Sequence, residues 1–572
     1  MSKKRPLDEQ TQEKIRKGLA VSGASERAIN DLWNVWHEDD TGRVGHAQFA
    51  RIVQENLAPW QAIVKPIKFE MLEGEHVRVP ICQVRPVVLK LCEEAPAFRH
   101  ALGKALQHNG CLTPVFYSDE CTAGNVLSNE KQKKAVLWYM SWLECFHLLK
   151  VPKMWICMAA VQTQCVQEMV GGTSAVMTAI LAENVSEELQ RGFALPGGMQ
   201  FKQSLKAFYV ADMDAIRGTY SVKGSAGLRP CILCDVLKKD SGLLEHDASY
   251  LDISAPSGFK LSSDAAIFRE CDRMKHCRTR AQLEMHEKAT GIVYDDATLM
   301  FSVSERRKMP PSRIIADFMH VYLCNGVASW EVALMLETVY PRTSLTLDIL
   351  QAAAVSDAWQ ASKGAKKTPS YLKHLFSHKN FGEGIYKGEG HQTRAILPLL
   401  RYYLETMMEP AGSLPVPCCK SFKVLCDIIA YVRHIAHGFH RVDSKSMDHL
   451  DALQKTHHKH FGMAYENGFK PKHHHRLHIP SQWMRAGVVI SCEPLETKHQ
   501  VYKDGLADRQ KGKVRNFEAF SAAVLPRMLQ RSLDTILKAG LPFWELLPPI
   551  HEADLDDKIF FAAASLQTSL RF

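Results

Sequence analysis

Two cysteines separated by two residues are the first feature of this sequence that could do chemistry. Cys231 and Cys234 follow a stretch with two glycines, Lys223-Gly-Ser-Ala-Gly-Leu-Arg-Pro230, whose backbone can wrap around an ion. Two thiolates at this spacing are half of a tetrahedral zinc site. They could equally be two buried cysteines, and no strand-then-helix context supports a thioredoxin-like redox role.

A histidine-rich run could supply the other half of that site. The run reads Lys470-Pro-Lys-His-His-His-Arg-Leu-His478. His474 and His478 have the spacing of two ligands on one helical face, whereas His473 and His478 suit a less regular turn. A solvated patch of basic residues and histidines is the alternative. Given the cysteine pair upstream, we predict a joint zinc site that combines Cys231 and Cys234 with these histidines.

Two aspartates follow segments that read as strands. Leu112–Asp119 is a short apolar and aromatic run, and Phe201–Asp212 is another. Asp214 is an alternative to Asp212 as the acid at this position. If the strand continued past Asp212, the side chain of Asp214 would face the same side of it.

The elements around these aspartates occur in an informative order. Strands are predicted at 112–119, 136–143, 154–161 and 201–212, with a helix after Gly171 that Thr173 or Ser174 would cap. Strand, strand, strand, helix, strand is the order of a ribonuclease-H-like nuclease core. Such a core sets carboxylates of its first and fourth strands side by side.

A third acid could come from the segment 491–500. Pro494 suits the first turn of a helix, and Glu496 would face inward after it, with Glu493 as its competitor. The basic residues from position 498 onward form either a solvated face or a track for phosphates. They are Lys498, Lys503, Arg509, Lys511, Lys513 and Arg515.

Asp317 and His320 lie three residues apart on an apolar segment. On their own, such residues more often form a local hydrogen-bonded pair than a catalytic one.

Composition excludes several classes of protein. The chain has 572 residues, of which 46% are hydrophobic and 23% charged, so it is neither wholly disordered nor fibrous. It has no run of ~18–20 apolar residues and its start lacks the apolar core of a signal peptide, so we expect a soluble intracellular protein. The 16 cysteines should then be mostly reduced thiols. A net charge of +9 permits a polyanionic partner without requiring one.

The N-terminal hundred residues read as helical, notably Thr11–Leu19, Ser25–His37 and Val87–Leu106. A stretch from His37 to Phe49 looks like a calcium loop. We reject that reading, because its first and twelfth positions are His37 and Gln48 rather than carboxylates.

Taken in this order, the motifs resemble those of DDE transposases of the CACTA and Plavaka-type group, with hAT transposases and the V(D)J recombinase core as more distant relatives. The resemblance covers roughly residues 110 to 510. It rests on the segments Phe116–Asn125, Phe208–Asp212, Lys223–Cys234, Asp317–His320, Lys470–His474 and Leu495–His499.

This resemblance implies that Asp119, Asp212 and Glu496 form a catalytic triad that binds two Mg²⁺ or Mn²⁺ ions. Two such ions about 4 Å apart activate the nucleophile and stabilise the leaving oxygen in phosphodiester cleavage. Carboxylates suit magnesium better than histidine or thiolate would. The resemblance also implies a structural zinc ion on Cys231, Cys234, His473 or His474, and His478. Asp317 and His320 match the D-x-x-H element of the group, whose role we leave open.

The expected architecture is α/β, a ribonuclease-H-like mixed sheet interrupted by a large helical insertion with long polar connections at 241–263 and 361–392. The expected divisions are a helical region at 1–108 (a DNA-binding or dimerisation module, or a plain helical cap), the first part of the core at 109–228, a zinc-containing insertion at 229–485, and the last part of the core at 486–572.

We expect a nuclear protein that cleaves and transfers strands of double-stranded DNA at transposon ends, with a homodimer suggested by kinship. The alternative is a domesticated, inactive DNA- or chromatin-binding protein that keeps the fold. A third reading is an unrelated helical zinc protein.

Overall fold

The chain is a mixed α/β protein with a five-stranded sheet that contains both parallel and antiparallel pairs. Its structure is a computed structural model. The residues described are 55, 57–122, 134–224, 227–236, 260–340, 345–355, 369–382, 384–408, 412, 415–437, 442–465, 468–495, 498–499 and 517–537.

Five of the described strands form the central sheet. The described strands are β1 Val64–Glu70, β2 His76–Cys82, β3 Pro114–Thr122, β4 Lys134–Trp142, β5 Ile156–Gln162, β6 Phe193–Ala194, β7 Gln200–Phe201, β8 Phe208–Ala211, β9 Ile314–Ala316, β10 Phe381–Gly382 and β11 Ile385–Tyr386. The central sheet has the strand order β5-β4-β3-β8-β9. Strands β3, β8 and β9 run parallel to one another, whereas β4 is antiparallel to both β3 and β5.

Helices surround this sheet and make up most of the region after it. The α-helices are α1 Val84–Glu94, α2 Pro96–Asn109, α3 Thr163–Glu168, α4 Gly172–Asn184, α5 Glu187–Arg191, α6 Met213–Tyr220, α7 Asp264–Lys275, α8 Arg280–Thr290, α9 Glu305–Lys308, α10 Val327–Val339, α11 Leu347–Ala354, α12 Pro369–Leu375, α13 Gly390–Tyr403, α14 Val416–His437, α15 Ser444–Ala464, α16 Pro471–His475, α17 Ile479–Ala486 and α18 Phe517–Leu537. Shorter 3₁₀ segments are Leu143–Lys150, Pro152–Met154, Leu299–Phe301, Pro311–Arg313, His378–Asn380 and Arg476–His478, and π-helical turns are Met319–Leu323 and Leu404–Met408.

We predicted a helical N-terminal region, but its described part also contains two strands. An antiparallel hairpin of β1 and β2 precedes α1 and α2. In β2, Val77 and Val79 are buried while Arg78 between them is exposed, which is the alternation of a half-buried strand. The hairpin is held by the C-terminal helix, since α18 packs on β2 and β5 and Gln530 accepts a hydrogen bond from Trp60 at 2.6 Å. The helices predicted at 11–19 and 25–37 and the segment at 37–49 lie outside the described residues.

Two features of the sheet differ from the prediction. The segment 201–212 is not one strand, because β7 and β8 are separate and β8 ends at Ala211. The fifth strand, β9, comes from within the stretch assigned to the helical insertion. Three residues are too few for a periodic pattern, so β9 is defined by its pairing with β8 rather than by its own sequence.

Helix α4 starts earlier than predicted. Gly171, in the left-handed conformation at φ 73°, is its N-cap, so neither Thr173 nor Ser174 caps it. Instead, the buried Ser174 hydroxyl donates to the carbonyl of Thr219 at 2.6 Å and accepts from the N–H of Leu299 at 2.8 Å. It therefore ties α4 to the end of α6.

The region after β9 is largely helical, as predicted. Helices α14 and α15 pack together, and α10 and α13 pack on α14. Helix α17 contacts both α15 and β9, so it joins this helical region to the sheet. The stretch 361–392 is not only loop, since α12, β10, β11 and the start of α13 lie in it. Within the described part of the chain, no helix is both long enough and apolar enough to cross a membrane.

Candidate metal centre and acidic cluster

Three aspartates lie where the pairing of β3, β8 and β9 ends. Tyr117 pairs with Val210, and Asp119 and Asp212 each lie two residues after this pair, Asp119 within β3 and Asp212 just past β8. Ala211 pairs with Ala316, and Asp212 and Asp317 are the residues that directly follow this second pair. Neighbouring strands lie about 4.8 Å apart. The fold therefore gathers three acids that are widely separated in the sequence.

Asp119 is partly buried and both of its carboxylate oxygens are oriented. Oδ2 accepts a hydrogen bond from the Tyr117 hydroxyl at 2.9 Å, and Oδ1 accepts one from the N–H of Glu120 at 2.7 Å. Burial and then the negative charge of Asp212 raise the pKa of Asp119 to about 6. The two carboxylates thus interact electrostatically.

Asp212, rather than Asp214, is the aspartate beside Asp119. Asp212 caps α6, where its side chain accepts from the N–H of Ala215 at 2.7 Å. Asp214 does not lie on a continuing strand, because β8 ends at Ala211 and a helix follows. Its side chain is 84% exposed and pairs with Arg217 at 3.6 Å.

Asp317 is fully buried and forms an ion pair with His320. One of its oxygens accepts from His320 Nδ1 at 2.7 Å and from the His320 N–H at 3.0 Å. Burial alone would lower the pKa of His320, but the bond to Asp317 and the charges of Asp212 and Asp119 raise it to about 9. The predicted local pair is therefore present, and it holds a cationic imidazole in the field of the other two aspartates.

The third predicted acid, Glu496, lies outside the described residues. Its competitor Glu493 is exposed and pairs with Arg394 at 3.2 Å. His499 Nδ1 lies 3.8 Å from Asp119 Oδ2, and its ring contacts those of Tyr117 and Tyr139 at centroid distances of 6.2 and 5.7 Å. His499 thus lies next to the strand that carries Asp119.

Lys498 does not lie on an exposed basic face. Its side chain is buried, and its ammonium donates to the carbonyl of Pro152 at 3.0 Å and to the carbonyl of Trp155. Burial lowers its pKa to about 8. A phosphate contact would require an accessible ammonium, so the structure does not support that role for Lys498. The other five basic residues of the predicted track, at positions 503, 509, 511, 513 and 515, lie outside the described residues.

The cysteine pair and two of the histidines form one buried cluster. Cys231 Sγ lies 3.4 Å from His478 Nε2, Cys234 Sγ lies 3.2 Å from His474 Nε2, and the two Nε2 atoms are 3.1 Å apart. All four ligand atoms lie within 4.8 Å of one another. Ligand atoms around a tetrahedral zinc ion are separated by about 3.3–3.8 Å, given the usual bond lengths. The cluster can therefore bind a structural metal ion such as zinc.

The neutral form of His474 also suits a metal. Burial lowers the pKa of His474 to about 4, which keeps the imidazole neutral, as a ligand must be. Four protein ligands with no exposed position are typical of structural rather than catalytic sites.

His473 does not join the cluster. Its Nδ1 accepts a hydrogen bond from the N–H of Lys470 at 3.0 Å, and its ring packs on Phe461 at a centroid distance of 4.4 Å. Of the two histidine pairs left open by the sequence, the structure brings His474 and His478 to the cysteines. The i, i+4 spacing selects this pair because α16 and the following 3₁₀ turn are helical.

Two residues that the sequence prediction did not assign to the site contact it. These are His499, beside Asp119, and Lys472, which donates to the carbonyl of His320. Their positions in the sequence could have indicated them, because His499 lies in the segment Leu495–His499 and Lys472 in the segment Lys470–His474, both of which we selected for other residues.

No model of a known protein family matches this sequence, and no curated protein matches it either.

Proposed function

We propose that this protein is a transposase-like, metal-dependent enzyme that cleaves DNA phosphodiester bonds and transfers DNA strands. The observation that carries the proposal is that Asp119, in β3, interacts electrostatically with Asp212, which directly follows the neighbouring parallel strand β8. In chain order these are the first and fourth strands of the central sheet, which are the strands that carry the paired acids in a ribonuclease-H-like core.

The acid pair fits divalent cations that prefer oxygen ligands. Asp119 and Asp212 would hold Mg²⁺ or Mn²⁺, and Glu496 would be the third acid. Metal ions held this way stabilise the charge on the phosphoryl and leaving oxygens. Burial is the larger cause of the raised pKa of Asp119, and the charge of Asp212 adds to it; this second effect supports the proposal, because two close carboxylates repel one another until a cation neutralises them.

His320 would add a positive charge to the site, in addition to the charges of the metal ions. Asp317 accepts a hydrogen bond from its Nδ1, which favours the imidazolium form next to Asp119 and Asp212. A cation at this place would attract a DNA phosphate to the carboxylate edge of the sheet. This gives the D-x-x-H element a role in positioning substrate.

Zinc is the metal that we propose for the Cys2His2 cluster. Its ligands come from the chain just after α6, which Asp212 caps, and from α16 and the turn that follows it. A structural zinc ion would thus fasten the helical region to the sheet near its acids. Duplex DNA as the substrate, a homodimer and a nuclear location complete the proposal.

Matched acid variants test this function. Purified protein with Mg²⁺ should nick labelled duplex DNA, and Asp119→Asn or Asp212→Asn should abolish the nicking. Asp214→Asn should retain it, because Asp214 is exposed and paired with Arg217. Glu496→Gln should abolish nicking and Glu493→Gln should not.

The outcomes separate the two candidate functions. Tight DNA binding by the wild-type protein with no cleavage would favour a domesticated, inactive DNA-binding protein. Cleavage that survives both Asp119→Asn and Asp212→Asn would refute the acid-pair mechanism.

A further inference from the structure

One lysine, Lys472, donates hydrogen bonds near both ends of the turn that carries His320. Residues Met319–Leu323 form a π-helical turn directly after Asp317, a geometry that is rare and often found at functional sites. The ammonium of Lys472 donates to the carbonyl of His320 at 2.8 Å and to the carbonyl of Cys324 at 2.9 Å. These two carbonyls lie near the two ends of the turn, so Lys472 spans it.

Lys472 is part of the segment that provides two ligands of the Cys2His2 cluster. It lies in α16 two residues before His474. Its backbone position is therefore fixed by the same short helix that directs His474 and His478 to the cysteines.

A second cation fixes the other side of this segment. Arg476, between the two histidine ligands, is fully buried, and its Nε donates to the carbonyl of His473 at 3.2 Å. Its guanidinium also contacts His457, whose Nε2 lies 2.6 Å from the carboxylate of Glu331. The segment 472–478 is thus anchored to α10 and α15 as well as to the cysteines.

We propose that Lys472 is a positioning residue, through which the metal cluster sets the orientation of His320 against Asp119 and Asp212. An effect of Lys472 on catalysis rests on the proposed function. The coupling between the metal cluster and the turn that carries His320 depends only on the fold. An ammonium that donates to two carbonyls forms charge-assisted hydrogen bonds, which are stronger than neutral ones. Loss of the metal would remove the attachment of α16 to Cys231 and Cys234 and leave only the anchor through Arg476, so the clamp on the π-helical turn would weaken.

Hydrogen exchange of the full chain measures this coupling without DNA. Lys472→Met should bind Co²⁺ at the Cys2His2 cluster with an unchanged thiolate charge-transfer spectrum, while the amides of residues 318–326 exchange about tenfold faster or more. Lys472→Arg should restore slow exchange, because a guanidinium can also donate to both carbonyls. Lys470→Met is the matched control, since Lys470 lies on the same segment but contacts the ring of Trp330 at 4.4 Å instead.

A second arm uses the wild-type protein, in case the lysine variant does not fold. Withdrawal of the metal from the cluster with a chelator should accelerate exchange in residues 318–326, and readdition of Zn²⁺ should reverse the change. In protein that cleaves DNA, Lys472→Met should lower kcat with little change in KM.

The results distinguish this proposal from the proposed function. Slow exchange in both Lys472→Met and the metal-free wild type would overturn the coupling, whatever the nuclease activity. Accelerated exchange in a protein that never cleaves DNA would support the coupling and count against the enzyme.

Discussion

The carboxylate of Asp317 accepts a hydrogen bond from the backbone N–H of Cys492 at 2.9 Å, and 175 positions of sequence separate the two residues. The other oxygen of the same carboxylate holds His320. This buried carboxylate, at the end of β9, therefore contacts both the imidazole of His320 and the backbone of Cys492. In the sequence, Cys492 lies four residues before Glu496. Asp317 has its oxygens engaged by N–H donors, so its role is to organise the site.

Asp317→Asn should destabilise the protein while changing its shape very little. An asparagine has one carbonyl oxygen, so its NH₂ group must face either the N–H of Cys492 or the donors of His320. We expect a loss of about 2 kcal/mol or more in the free energy of unfolding, measured with urea. The control is Asp214→Asn, which should change this free energy by less than about 0.5 kcal/mol because the side chain is exposed. Equal stability of the two variants would refute the organising role.

The Cys2His2 cluster should bind one zinc ion per chain, and the histidine variants should separate ligands from neighbours. His474→Ala and His478→Ala should lose the metal, measured as zinc content after dialysis, whereas His473→Ala should keep it. Cys231→Ser should lose it as well, and Cys277→Ser should not, since Cys277 lies apart from the cluster and contacts the carbonyl of Arg273. Retention of zinc by both His474→Ala and His478→Ala would contradict the assignment.

Local patterns in the sequence predicted the strands of the first half of the core well. The segments predicted at 112–119, 136–143 and 154–161 became β3, β4 and β5, because long runs of apolar and β-branched residues need no distant partner to be recognised. The predicted helix at 87–106 became α1 and α2. Its break falls at Ala95, before Pro96, where the proline disfavours a helical conformation.

The parts that the sequence did not predict are those that depend on distant pairing. β9 exists as a strand only because Ile314 pairs with Tyr209, more than a hundred residues earlier. Lys498 and Lys472 both looked like members of basic runs, and only their tertiary contacts with backbone carbonyls give them other roles. Motif spacing predicted five candidate ligands, namely Cys231, Cys234, His473, His474 and His478. The choice between His473 and His474 required the helical conformation of α16.

Binding of Mn²⁺ to the acid pair should weaken as the pH falls through about 6. Burial and the charge of Asp212 raise the pKa of Asp119 to about 6, so below that pH a proton competes with the cation for this carboxylate. For one such group, the apparent affinity at pH 5 should be about tenfold lower than at pH 7. Electron paramagnetic resonance of Mn²⁺ with zinc-loaded protein measures this directly. Asp119→Asn should bind Mn²⁺ weakly and without this pH dependence, and equal wild-type affinity at both pH values would contradict the expectation.

Lys498→Met should affect stability rather than DNA binding. The substitution keeps the length of the side chain but leaves the carbonyls of Pro152 and Trp155 without its ammonium, at a cost of about 1–3 kcal/mol in the free energy of unfolding. The slope of log K for duplex DNA against log salt should stay at the wild-type value, because a buried ammonium releases no counterion from DNA. Lys503→Met belongs to the same predicted basic track and should reduce the slope by about 1 if that track contacts phosphates. An equal reduction by Lys498→Met would show that Lys498 leaves its buried position to contact DNA.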